Sequence, residues 1–461
     1  MTPTAPSPPL WRLLQGAAQV VQAVREGRSA TAALDAVDGA LRPGVQSLAF
    51  QVLRQLGRAE ALRRLLARRP PPLAADALLC TALALCWREE EAPYEPFTLV
   101  DQTVEAAKRH PGARAQAGFV NACLRRFLRE REALVRATDA DPVARWNHPR
   151  WWLDRLQRDH PRQWEAILAA NNGQPPMTLR VNARRGSVAD YLARLRQAGL
   201  EGRPVGACGV ILARPSGVHE VPGFDEGIVS VQDAAAQLAA PLLLGPSTSS
   251  GLSEASRSSG RPAPRLRVLD ACAAPGGKTA HLLEFADVQV TALDVDPARC
   301  ERIRQTLHRL GLEAKVVAAD AAEPASWWDG EPFDAILLDA PCTASGIVRR
   351  HPDVRWLRRD SDVGRLAHVQ ARLLSVLWPL LKPGGRLLYC TCSVFRAEGE
   401  AQVQTFLAHN NEALSLTAPG HLLPQGGVNG NLLRDNLEGD HDGFFYALLE
   451  RPLPLAVAPG A

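Results

Sequence analysis

Two cysteines set in short turns offer the most specific chemistry in the chain. Cys342 lies in Asp339-Ala340-Pro341-Cys342-Thr343 and Cys392 in Thr391-Cys392-Ser393, just past the apolar run Leu387-Leu388-Tyr389. A thiolate suits attack on an electron-poor ring carbon. Upstream stands Asp270-Ala271-Cys272-Ala273-Ala274-Pro275-Gly276-Gly277-Lys278-Thr279. Glycines in a turn after a strand let a nucleotide-like group approach the backbone, so the set reads as cofactor-dependent chemistry on a heterocycle with a thiolate as covalent catalyst. The turn has neither the GxGxxG spacing of dinucleotide sites nor the two glycines flanking four residues of a P-loop, and a compact nucleoside-sulfonium cofactor fits it better. Cys390 within the apolar run reads as core, and Cys272 and Cys300 as small packing residues.

These residues need elements to hold them together. Apolar strands at 266–270, 289–294, 315–320, 335–339 and 386–391 alternate with amphipathic helices, the pattern of a doubly wound parallel sheet. Ligands collect at the carboxyl ends of such strands, and here those ends carry Asp270, Asp294, Asp320, Asp339 and the turn 390–393. Asp294, 17 residues beyond Gly277, is placed to accept hydrogen bonds from ribose hydroxyls, because Asp296 before Pro297 is the more natural helix cap. Asp320 is placed to meet an adenine amino group. A last strand at 443–449 is expected at the sheet edge within a terminal antiparallel pair.

The rest of the chain divides by composition. From Leu10 to about Leu134 apolar residues recur at three-to-four spacing, and Pro/Gly breakers near residues 42, 70, 93 and 111 cut the stretch into about five helices, an all-α bundle. A Trp cluster, Trp146, Trp151, Trp152 and Trp164, reads as core on short helices. Residues 177–231 read as a small α/β accessory module, and the Ser/Gly/Pro-rich 245–264 as a flexible loop. The expected domains are 1–145, a helical domain; 146–235, linker helices and accessory module; and 236–455, the catalytic sheet. Residues 1–145 hold 20 Arg or Lys against 15 Asp or Glu, so the basic excess behind the net charge of +4 lies there and fits a polyanionic partner. Arg125 and Arg129, four apart on one helix face, offer a phosphate grip, and Arg349, Arg350, His351, Arg355 and Trp356 offer a second with an aromatic for stacking.

With 46% hydrophobic residues, 461 residues suffice for two or three cores. No apolar run reaches membrane-spanning length and no secretion signal is present, so a cytoplasmic location without membrane attachment is expected. The nine scattered cysteines are then reduced thiols, and without a CxxC pair no metal site is expected.

Motifs 270–279 and 339–346, the following Val348-Arg349-Arg350-His351-Pro352-Asp353, and Thr391-Cys392-Ser393 resemble those of the S-adenosylmethionine-dependent RNA cytosine-C5 methyltransferases. The helical N-terminus resembles the RNA-binding domain related to the antitermination factor NusB, a pairing similar to the bacterial 16S rRNA methyltransferase B group. The resemblance implies S-adenosylmethionine as cofactor and 16S rRNA as partner. It implies that Cys272, Ala273, Ala274, Pro275, Gly276, Gly277 and Lys278 wrap the methionine part, Asp294 the ribose and Asp320 the adenine side, with Asp339 facing cofactor and base. Cys392 would attack ring carbon 6 and Cys342 would assist release of the product. Thr343 stands where Ser is usual in the family, and 245–264 is longer than typical; neither touches a predicted reacting atom.

The chemistry stands on its own terms. Cytosine C5 becomes nucleophilic once a thiolate adds at C6 and a donor such as protonated Asp339 stabilises charge at N3; a base, Cys342 or a water, must then remove the C5 proton. DNA is disfavoured as substrate, since DNA cytosine methyltransferases attack with the Pro-Cys cysteine and have no need of Cys392. The alternatives are another RNA, tRNA or large-subunit rRNA, and a non-catalytic RNA-binding assembly factor, against which the intact cysteine pair speaks. A monomer is expected.

Overall fold

The structure, a computed structural model, describes residues 8–245, 265–424 and 441–454. The stretch read as a loop at 245–264 therefore lies, from residue 246 on, outside the described residues. The chain forms two compact units, Met1–Gln174 with Ile347–Asp360 and Pro175–Gly346 with Ser361–Ala461.

The first unit is all-α. Helices Leu10–Arg25, Ala30–Asp35, Arg42–Arg54, Leu56–Leu66, Leu73–Cys86, Pro96–Arg109 and Ala117–Thr138 enclose one apolar core that includes Leu14, Val52, Leu62, Leu79 and Phe127. The five expected helices are seven because Ser29 starts a separate helix by capping Ala32 N–H, and Gln55 interrupts 42–66. Pro43 does not break its segment. It sits in the first helical turn, where its missing N–H has no partner to lose. The Trp cluster packs as core: Trp152 is fully buried, and Trp146 meets Trp164 edge-on at 5.2 Å.

The second unit carries two sheets. Strands β1 (Thr178–Val181), β2 (Gly202–Val205), β3 (Gly209–Leu212) and β4 (Val229–Val231) pair antiparallel in the order β2-β3-β1-β4, with helix Val188–Gln197 against them. This is the small α/β module. Strands β5 (Leu266–Ala271), β6 (Val288–Asp294), β7 (Lys315–Ala318), β8 (Phe333–Asp339), β9 (Leu381–Thr391), β10 (Leu414–Leu422) and β11 (Phe444–Glu450) form the large sheet, ordered β10-β11-β9-β8-β5-β6-β7. The pairs among β5 to β9 are parallel, and β11 runs antiparallel to both β9 and β10. This is a Rossmann-like doubly wound sheet.

Strand β11 belongs to the terminal antiparallel pair expected at the sheet edge; within that pair β10 is outermost and β11 lies inside, against β9. Burial explains the order: six consecutive residues from Phe444 are buried, as a strand covered on both faces requires, whereas β10 is largely exposed or half-buried. The small module is fixed to the helix that follows the glycine-rich turn, Gly277–Phe285. Arg180, with its side chain wholly buried, pairs with Glu284 at 2.8 Å and donates to the Gly277 carbonyl at 2.8 Å. Removing either partner of so buried a pair costs about 3–5 kcal/mol.

Candidate active site

At the carboxyl end of β5 the backbone turns sharply. Cys272 has φ 66° and Gly276 φ 98°, both in the left-handed region, and the Ala274-Pro275 bond is cis. A Cβ on Gly276 would lie 3.1 Å from the Ile303 Cα, so glycine is required there for space as well as for φ. Ala273 N–H donates to Leu293 O at 2.7 Å, and Ala274 N–H to Asp294 Oδ2 at 3.2 Å, which ties the turn to the end of β6. Gly277 then opens helix Gly277–Phe285.

Asp294 is buried, accepts Asp296 N–H at 3.1 Å and lies 3.4 Å from Arg299. Asp296 caps the next helix through Ala298 N–H at 2.8 Å, as its place before Pro297 predicts. Asp320, expected as the last residue of its strand, lies two residues past the end of β7, is exposed and accepts Ala322 N–H at 2.8 Å, so one of its oxygens already closes a turn. Beneath the turn Asp270 is fully buried. It accepts the Thr279 hydroxyl at 2.6 Å, and its Oδ1 meets no protein donor. The tight glycine turn, the acidic strand ends and this orphaned buried oxygen fit a small cationic nucleoside better than a triphosphate, which would demand basic groups.

The reacting groups gather at the ends of β8 and β9. Cys342 Sγ and Cys392 Sγ are 3.4 Å apart, and both side chains are partly accessible. Asp339 Oδ2 pairs with Lys278 Nζ at 2.7 Å, and its Oδ1 accepts from the Cys390 thiol at 3.5 Å. The last contact follows from register, because Asp339 and Cys390 face each other across β8 and β9. Lys278 Nζ also sits 5.2 Å from the Phe444 ring centroid. Burial, the largest single influence, would lower the Lys278 pKa, but the charge and hydrogen bond of Asp339 together with nearby Cys390 and Cys392 outweigh it and hold the ammonium above its ordinary value.

The thiols differ in their surroundings. The hydrogen bond with Cys392, with burial behind it, raises the Cys342 pKa well above the ordinary value. Burial likewise raises Cys272, Cys300 and Cys390. Cys300 is wholly enclosed, with its Sγ against Asp294 O at 3.5 Å. Cys300 and Cys390 are buried and Cys272 half-buried, where the sequence reads all three as packing residues.

Two features depart from that analysis. The basic loop after Cys342 belongs to the helical unit, which takes up Arg349, Arg355 and Trp356, while Arg350 is half-buried and His351 exposed. Arg355 is fully buried and donates to Asn172 Oδ1 at 2.5 Å and to Asn171 O at 2.6 Å, Trp356 Nε1 donates to Leu53 O at 2.8 Å, and Arg349 is 5% exposed. An apolar-flanked Arg-Trp pair in a loop looks accessible in sequence, and only the fold shows carbonyls waiting for it. The second feature is Glu398, fully buried behind both cysteine turns and bonded to Thr343 and Ser393. Its partners stand up to 55 residues away, so no spacing signal marks it. Arg125 and Arg129 are exposed on helix Ala117–Thr138, with Arg125 Nε bonded to Asn121 at 3.0 Å. Among the described residues no helix is long and apolar enough to cross a membrane.

Comparison with known proteins extends the picture. The family described as 16S rRNA methyltransferase RsmB/F matches residues 261–450, a ferredoxin-like domain of RsmF/B-like methyltransferases matches 148–219, and the NusB family matches 14–129. The chain is 42% identical over 451 residues to the ribosomal RNA small subunit methyltransferase B of Pseudomonas syringae pv. tomato, covering 94% of this chain and 95% of that one. It is 39% identical over 446 residues to the protein of the same name from Vibrio cholerae serotype O1, covering 94% and 96%. Among solved structures, a methyltransferase homolog protein from Pyrococcus horikoshii aligns with 68% of this chain and 98% of its own length, at 29% identity and a TM-score of 0.53.

Proposed function

Because the chain belongs to the family of RsmB/F 16S rRNA methyltransferases, we propose that it methylates carbon 5 of one cytosine in 16S rRNA through a covalent Cys392 adduct. The observation that carries this reading is the pair of sulfurs 3.4 Å apart beside an Asp339–Lys278 ion pair, at the strand ends where the glycine-rich turn lies. S-adenosylmethionine, held by residues 272–278 with Asp294 and Asp320 at its ribose and adenine, supplies the methyl group. The rRNA substrate places the activity in the cytoplasm.

The chain's own groups divide the work. Cys392, just past the end of β9 with its sulfur 3.4 Å from that of Cys342, forms the sulfur bond to C6. As that bond forms, electron density moves from C6 toward C5 and N3. Asp339 and Lys278, sharing one hydrogen bond, place a carboxylate acceptor and an ammonium donor side by side, suited to hold the exocyclic amine and to supply the proton at N3. After C5 is methylated, its proton must leave before the carbon–sulfur bond can break. Cys342, whose sulfur touches that of Cys392, serves the release step: it or a water takes the C5 proton, the C5–C6 double bond re-forms and Cys392 leaves as thiolate.

The test is methyl transfer from labelled S-adenosylmethionine to unmodified 16S rRNA, 23S rRNA and tRNA, with the product base identified by hydrolysis. Label in 5-methylcytosine of 16S rRNA alone supports the reading. Label in another RNA moves the substrate, and label at another atom overturns the chemistry.

A further inference from the structure

Each catalytic cysteine is followed by a hydroxyl residue, Thr343 after Cys342 and Ser393 after Cys392, and both hydroxyls converge on one buried carboxylate. Glu398 Oε2 accepts the Thr343 hydroxyl at 2.5 Å and the Ser393 hydroxyl at 2.6 Å. Its Oε1 accepts Thr343 N–H at 2.8 Å and Gln370 Nε2 at 3.3 Å, and Gln370 also donates to Pro341 O at 3.0 Å. The Glu398 carbonyl accepts from Tyr389 OH at 2.8 Å and from Thr391 Oγ1 at 3.2 Å. One residue thus bonds to both sides of Cys392 and to the residue after Cys342.

The hydrogens around Glu398 run one way. Val394 N–H donates to Ser345 Oγ at 3.0 Å and Phe395 N–H to Ser393 Oγ at 3.1 Å. Ser393 spends its one proton on Glu398, so the 2.8 Å contact between the Ser345 and Ser393 hydroxyls runs from Ser345 to Ser393, which accepts it beside Phe395 N–H. All four bonds to the carboxylate oxygens therefore come from neutral donors. No Lys, Arg or His pairs with Glu398 among the described residues. An enclosed carboxylate without a counter-charge is costly, and a neutral residue would fill the same space more cheaply. What an ionised carboxylate adds is acceptance of four donors at once, two per oxygen, which an amide cannot match because its nitrogen must donate. Gly346, whose N–H donates to Cys392 O at 2.9 Å, joins the same two turns directly.

We propose that Glu398 is a positioning residue for the two-cysteine reaction, clamping the Cys342 and Cys392 turns together so that the sulfurs keep their contact. The proposal rests on the function proposed above. It assigns one hydroxyl to each half of the reaction: Ser393 steadies the turn that forms the adduct, and Thr343 the turn that releases it.

The experiment measures three things on the full chain for wild type, Glu398→Gln, Thr343→Val and Ser393→Ala. They are S-adenosylmethionine affinity, the rate of adduct formation on 16S rRNA carrying 5-fluorocytosine, whose C5 fluorine arrests release, and turnover on ordinary rRNA. Glu398→Gln is expected to slow adduct formation and turnover by about tenfold or more each, since small misplacements of reacting groups have effects of that order, while cofactor affinity stays within about twofold. Ser393→Ala is expected to slow mainly adduct formation, and Thr343→Val to slow turnover while adduct accumulates. If Glu398→Gln keeps both rates, or loses them only together with cofactor affinity and melting temperature, the residue is structural and the proposal fails. If Glu398→Gln does not fold, the two hydroxyl variants decide, and wild-type rates in both overturn the clamp. If wild type forms no adduct with any RNA, the functional reading fails instead. The clamp is then decided by iodoacetamide labelling, read by peptide mass: labelling of Cys342 and Cys392 rises in Glu398→Gln with Cys208 unchanged, or it does not and the clamp is wrong.

Discussion

At the scale of the residue, Lys278 and Asp339 set the conditions under which either thiol can work. Lys278→Met removes the ammonium and leaves Asp339 with the weak Cys390 thiol donor. Methyl transfer at saturating substrates should fall by about 10²–10⁴-fold, the usual worth of a placed proton donor. A single-turnover rate near wild type would remove Lys278 from the chemistry. Asp270 makes a different prediction. Burial pushes its carboxyl up to about 7 from an ordinary 3.8, so the folded state favours the protonated form. Its stabilising contribution is complete below about pH 4 and is lost as pH rises through about 7, with an upper bound of roughly 4 kcal/mol for a shift of that size. Asp270→Asn should therefore gain melting temperature over wild type progressively from about pH 4 to pH 7 and no further above it, and a pH-independent difference would contradict this. The cysteines, the glycine turn and Asp296 were legible in sequence because each is a local pattern. Glu398 was not, because an acidic residue in Arg396-Ala397-Glu398 reads as a solvated turn until the distant hydroxyls arrive.

At the scale of the element, the five parallel strands were legible from apolar runs, four of them ending in aspartates. The place of β11 within its terminal pair was not, since pairing with β9 rather than an edge place depends on what covers its second face. The helical segments were legible in kind but not in number, because the interruption at Gln55 is a single residue and Gly57 beyond it lies inside the next helix. The two turns that meet at the site tolerate little added volume. Gly276→Ala forces a left-handed residue with its Cβ against Ile303, and should cost about 1–3 kcal/mol in denaturant unfolding and weaken S-adenosylmethionine binding. At Gly346 a Cβ would overlap the Gly443 carbonyl, where Gly443 N–H donates to Gly346 O at 2.8 Å. Gly346→Ala should separate the cysteine turns and lower turnover while cofactor affinity is kept; unchanged turnover would show that the turns are not held there.

At the scale of the molecule, the chain returns to the helical unit for residues 347–360 immediately after the Cys342 turn. Inside that unit Asp353 accepts Ala30 N–H at 2.9 Å, and Arg54 donates to Arg349 O at 2.6 Å. Deleting residues 1–145 would strip partners from this segment as well as any RNA-binding surface, and the shortened chain should aggregate or lose its cooperative melting transition. Loss of activity on truncation is thus no measure of RNA binding. Charge reversal on the intact chain is cleaner. Arg125→Glu with Arg129→Glu should weaken rRNA binding and reduce the slope of log affinity against log salt by about two, one for each lost phosphate contact. An unchanged slope would place RNA contact elsewhere. The basic excess of the N-terminal third was visible in composition, but which arginines are available was not, since burial of Arg54, Arg58 and Arg355 is a property of packing.

The most direct test of the two-cysteine mechanism compares wild type, Cys392→Ala and Cys342→Ala in labelled methyl transfer to 16S rRNA, with denaturing gels to reveal protein–RNA adducts. Loss of both transfer and adduct in Cys392→Ala, with adduct accumulating in Cys342→Ala, is the predicted result. Full transfer by Cys392→Ala would contradict the assignment of the nucleophile and with it the account of the site.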